Sequence, residues 1–166
     1  MKARRSAAAV LAALILVSCG SSADKGELAY EQPLNTMRLA VNYSDEVSYL
    51  NVWLPWEKAR FLGDEKYTEG FLDSIYVRED FQGKISLRIN SAAELSESEL
   101  EELEAKEQQR YGVRPEFTKA MNVTAELRIR KDADLLSDSR DFTLVRLENN
   151  WYICGEVIDS FSFAAS

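Results

Sequence analysis

The sequence predicts an α+β domain in which helices come first and an antiparallel sheet of about four strands follows, with one acidic helix on the outside. Three observations predict it. Apolar residues recur at helical spacing between Pro33 and Leu54. From Lys84 onward the apolar residues instead alternate with polar ones, the period of a strand with one wet face. Between the first and second alternating stretches stands Ser96-Glu97-Ser98-Glu99, a capping box that opens a glutamate-rich helix.

In chain order, Leu34, Met37, Ala40 and Val41 define the apolar stripe of a first helix, with Pro33 suited to its first turn. Residues 42–45 interrupt it. Ser44 or Asp45 caps a second helix, with Val47, Leu50, Trp53 and Leu54 on one face until Pro55 stops it. Residues 56–63 read as a connection. A third helix is expected over 64–77, with Tyr67, Phe71, Leu72 and Ile75 on one side, although Gly70 costs it about 1 kcal/mol relative to alanine. Strand one covers 84–90, where Ile85, Leu87 and Ile89 alternate with Ser86, Arg88 and Asn90. The capped helix runs to about Arg110 with Leu100, Leu103 and Tyr111 as its apolar marks, and its six glutamates from Glu97 to Glu107 place its acidic face in water. Strand two, 119–130, alternates throughout. Residues 131–139 resemble a turn, and strands three (141–147) and four (151–157) form a hairpin across Glu148-Asn149-Asn150, since asparagine tolerates positive φ.

Ahead of this domain, Lys2, Arg4 and Arg5 precede an apolar run from Ala7 to Val17 that is too short to span a bilayer. Leu16-Val17-Ser18-Cys19 resembles the lipobox of bacterial lipoproteins. That resemblance implies a diacylglycerol on the Cys19 thiol, cleavage between Ser18 and Cys19, and palmitate-class acyl chains holding the protein on the extracytoplasmic face of the cell membrane. Each buried CH2 contributes about 0.8 kcal/mol, and two chains give a lasting anchor where one does not. The bland alternatives are an ordinary signal peptide cut nearby, leaving Cys19 a free thiol, or an uncleaved helix. The expected organisation is a signal peptide at 1–18, the lipidated cysteine and a flexible tether at 19–32, and a single domain at 33–166.

Composition excludes several classes of function. The 166 residues carry a formal charge of -8, and loss of the signal takes Lys+Arg from 20 to 17 against 28 Asp+Glu, a mature charge of -11. So acidic a chain has no electrostatic footprint for nucleic acid or for anionic lipid surfaces. With no histidine, the commonest metal ligand and general base are both missing. Cys19 and Cys154 are the two cysteines, so a lipidated Cys19 leaves Cys154 without a disulfide partner. No cofactor and no metal are expected. The glutamate run could attract calcium, but a straight helix gathers six to eight oxygen ligands poorly, and a solvated face is the simpler account. Cys154 reads as an unreactive strand residue.

The mature chain is similar to the NTF2-like superfamily. The passages that carry the likeness are Thr36-Met37-Arg38-Leu39-Ala40-Val41 with the Leu50 to Pro55 stretch, the acidic segment from Leu95 to Tyr111 before Ala120 to Ile129, and Phe142 to Ile153 with its Trp151-Tyr152 pair. The resemblance implies a cone in which N-terminal helices pack into a curved antiparallel sheet. It also implies, through the isomerases and dehydratases of that superfamily, a proton-transfer role for Asp73 and Tyr76, three residues apart on the expected third helix. A surface aspartate beside a half-buried tyrosine is the plainer reading, and fold does not imply function. Trp53, Trp56 and Phe61 are candidates to line a ligand pocket, although aromatic residues at such positions more often form core; Trp56, after Pro55, is expected to be the exposed one. The resulting expectation is a non-catalytic, lipid-anchored binding or accessory module of the cell envelope. Its partners would be the membrane through Cys19 and an envelope protein, peptide or small apolar ligand, with no nucleic acid; the alternative is a proton-transfer enzyme using Asp73 and Tyr76.

Overall fold

The computed structural model describes residues 30–65, 67–76 and 78–165. Ser18, Cys19 and the expected signal and most of the tether lie outside the described residues. Helix α1 (Gln32–Tyr43) carries a proline in its first turn and buries Leu34, Met37, Ala40 and Val41, as their spacing predicts. It ends at Ser44, whose φ of 54° closes the helix in a left-handed cap. Asp45 then accepts the Ser48 amide at 3.0 Å and opens α2 (Glu46–Asn51).

The second helix stops earlier than its pattern suggests, and Val47 is 71% exposed. Past Val52, which keeps helical backbone angles, the chain runs parallel along a strand edge at Trp53: the Ile153 amide donates to the Val52 carbonyl at 2.7 Å, and the Leu54 amide donates to the Ile153 carbonyl at 3.3 Å. Extended backbone sends neighbouring side chains to opposite sides. Trp53 therefore enters one core and Leu54 another. Pro55 begins a helix instead of only ending one, because it lacks a donor that a first turn does not need; α3 (Pro55–Leu62) replaces the expected connection. Among the described residues of the expected helix over 64–77 the chain forms turns and the 3-10 segment Phe71–Asp73, and a second 3-10 segment, Arg78–Asp80, follows. Gly70, at φ 80°, takes a conformation that a helix cannot contain. Glu46 ties this segment to α2 by accepting from the Tyr67 hydroxyl at 2.5 Å and the Gly70 amide at 2.8 Å. Phe71, Leu72 and Ile75 still turn inward.

Strand β1 (Gln82–Glu94) extends beyond its alternating stretch, and α4 (Glu97–Tyr111) begins with the predicted capping box, both reciprocal hydrogen bonds being formed. Strands β2 (Phe117–Lys131), β3 (Asp134–Leu147) and β4 (Asn150–Cys154) follow, and a two-residue β5 (Ala164–Ala165) pairs with β3. The main sheet is antiparallel in the order β1-β2-β3-β4. The turn expected over 131–139 shrinks to Asp132 and Ala133, with Lys131 opposite Asp134. Residues 134–139 are strand by virtue of backbone pairing with β2, not of their own apolar pattern. In the β3–β4 hairpin the positive φ of 54° falls on Glu148.

One sheet face, through Val123, Ala125, Leu127 and Ile129 of β2 and Phe142 and Leu144 of β3, packs on α1, α2, Trp53 and Phe71 as the main core. The opposite face is covered toward the β3–β4 hairpin, where Leu54, Phe117, Ala120, Val145 and Cys154 meet Trp56, Leu100 and Leu103. This smaller second core positions the candidate site. No helix among the described residues is long and apolar enough to cross a membrane.

Candidate functional site

Beneath α4, three acidic or thiol side chains from three separate elements converge: Glu57 of α3, Glu107 of α4 and Cys154 at the end of β4, with one ligand-type atom from each lying within 4.8 Å of the others. Glu57 is 2% exposed and Glu107 4%. Pro55 sets the start of α3, which puts Glu57 in the first turn and points it at the chain leaving β4. Its Oε1 accepts the Gly155 amide at 2.6 Å, while its buried Oε2 has no hydrogen-bond partner among the described residues. Glu107 Oε2 accepts the Trp56 indole N–H at 2.5 Å.

Burial is the main influence on the Glu57 carboxyl; with the nearby Glu107 carboxylate it outweighs the Gly155 amide and pushes the group up to about 8. Glu57 is accordingly a neutral acid at pH 7, able to donate as well as accept. Burial, and then the charges of Glu57 and Glu107, push the Cys154 thiol far above its ordinary range, so without a cation it is a thiol and not a nucleophile.

A cleft of about 250 Å³ opens beside Glu57, between α3, the end of α4 and the chain after β4. Phe61 and Tyr111 supply apolar walls, and Asp64, Glu156 and Asp159 add carboxylates against Arg60. The Arg60 guanidinium lies over the Tyr111 ring at 5.6 Å, and Arg110 pairs with Glu156. The lining therefore favours a ligand carrying positive charge.

The residues singled out in the sequence are distributed differently. Asp73 is exposed and its carboxylate accepts the Ser44 hydroxyl at 2.8 Å, at the surface and not in a closed apolar cavity. Tyr76 is 8% exposed and stands edge-on to Phe81 and Phe163. Trp53 is 2% exposed, in the main core. Trp56, expected to be exposed, is half-buried in α3 and orients Glu107. Phe61 does line the cleft, while also packing edge-on to Tyr67 and Phe71. The glutamate run predicts Glu107 in water with its neighbours, yet it is buried. Its burial has a sequence mark, because positions 100, 103, 107 and 111 share one helical stripe. Glu57 has no such mark.

No protein-family model matches the chain, and neither a curated protein nor a solved structure matches it.

Proposed function

We propose that this chain is a lipid-anchored, extracytoplasmic binding module of the bacterial cell envelope, built on an NTF2-like cone, and that the cleft between α3 and α4 is its binding element. The observation that carries the binding assignment is Glu57, which lines that acidic, aromatic cleft and has a buried, unpartnered oxygen. An unsatisfied buried oxygen costs about 1–3 kcal/mol, a cost a bound cation or donor offsets. The anchor is supported by the Leu16 to Cys19 segment, and the cone by N-terminal helices packed on one face of the antiparallel sheet. Surface exposure of the Asp73 carboxylate favours binding over the proton-transfer alternative.

Metabolic labelling with a fatty-acid analogue tests the anchor. Cys19→Ala should lose the label and membrane fractionation together, and label surviving that substitution would refute lipidation at Cys19.

A further inference from the structure

We propose that Glu57, Glu107 and Cys154 form a binding site for a borderline-soft divalent cation, with zinc the best match, and that the ion's remaining coordination position faces the cleft. This assignment rests on the reading of that cleft as the binding element and names its ligand. Composition predicts no metal site, since there is no histidine and the three donors are 50 and 47 residues apart along the chain. The fold alone assembles them.

Four features support the ion. First, the donors come from three elements that are independently fixed, and their 4.8 Å limit of separation is within easy reach of a tetrahedral site, where bonds of 2.0–2.3 Å set donors about 3.3–3.6 Å apart. Second, each carboxylate is held from outside by one hydrogen bond, Glu57 by the Gly155 amide and Glu107 by the Trp56 indole. Such outer contacts orient metal ligands in built sites. Third, Glu57 Oε2 is buried without a hydrogen-bond partner among the described residues. Fourth, the donor set discriminates among metals. Calcium takes six to eight oxygens and magnesium demands octahedral oxygen, whereas a thiolate with two carboxylates suits zinc.

Three protein donors leave a fourth tetrahedral position for water or for a ligand entering past Phe61 and Tyr111. Binding forms one Zn–S and two Zn–O bonds. The thiol proton of Cys154 and the carboxyl proton of Glu57 leave to solvent, so the two added negative charges balance the two positive charges of the ion.

The test uses the full chain in detergent with Cys19→Ser, which leaves Cys154 as its one thiol, stripped with a chelator and titrated with zinc or cobalt(II) chloride. The expected result is one ion per chain and, with cobalt, a thiolate-to-metal charge-transfer band that zinc abolishes. Cys154→Ala should remove the band, and Glu107→Gln should weaken zinc binding by about 10–100-fold. Should the Cys154 variant fail to fold, protection of Cys154 by zinc against a thiol reagent in the Cys19→Ser chain gives the same answer. Absence of saturable binding, absence of the cobalt band, or zinc affinity unchanged by a folded Cys154→Ala would each overturn the site. Binding of tetramethylammonium at the cleft of the metal-free chain is measured separately by tryptophan fluorescence, so failure of the metal site and failure of the cleft as a binding element are separately visible.

Discussion

In metal-free protein, Glu57→Gln should flatten the pH dependence of stability between about pH 5 and 8. The Glu57 carboxyl titrates near 4.5 in an unfolded chain and near 8 in the fold, with burial the main cause. Its folded value is raised, so between those two points the native state holds one more proton than the unfolded state. Stability then falls as pH rises, at 1.36 kcal/mol per pH unit in mid-window. The contribution is fully present below 4.5 and lost by 8. Integration from pH 5 to pH 8 gives a loss on the order of 3–4 kcal/mol. Glutamine keeps the shape and the acceptor for the Gly155 amide but cannot ionise. The groups around it that also titrate or carry charge are Glu107 and Tyr111 on α4, Cys154 on β4, Arg60 on α3, and Asp64, Glu156 and Asp159 around the cleft. All of these remain in the variant, so the difference between the two profiles reports Glu57 together with its coupling to Glu107 and Cys154. Urea unfolding followed by tryptophan fluorescence, with chelator present, measures both profiles. Parallel curves for wild type and variant would refute the assignment of a neutral buried acid at Glu57.

Three further substitutions probe the scaffold. Ser96→Ala removes the hydroxyl of the α4 capping box and should destabilise the protein by about 1 kcal/mol in thermal unfolding; no change would mean that α4 docks without its cap. Val47→Ala, at a 71% exposed position, should shift stability by less than about 0.5 kcal/mol, whereas Leu50→Ala, 7% exposed three residues on, should cost about 2–5 kcal/mol. Equal effects would mean that α2 presents a different face.

The elements the sequence announces are those whose local pattern and burial coincide. Leu34, Met37, Ala40 and Val41 are inward because their spacing matches the helical repeat, and β2 alternates because one of its faces packs on the main core. The failures share a cause. Residues 134–139 have no strand pattern, yet β2 offers them a complete backbone partner, so pairing overrides composition. Residues 52–54 continue a helical pattern but gain hydrogen bonds from the β4 edge by unwinding. Pro55 is equally fit to stop one helix and start the next, and only the packing of α3 over the second core decides which.

By itself the sequence determined the helices-then-strands order, the capped acidic helix, the acidity that disfavours nucleic acid, and the likeness of residues 16–19 to a lipobox, because each is written in contiguous residues. Only the tertiary structure decided that a glutamate from an early helix, one from the acidic helix and the cysteine that ends β4 share a buried space. Those three lie in segments whose local patterns are satisfied without reference to one another. The second core, formed on the far side of the sheet when α3 and α4 dock, brings them together and sets the protonation of Glu57 and Cys154 by withdrawing them from water.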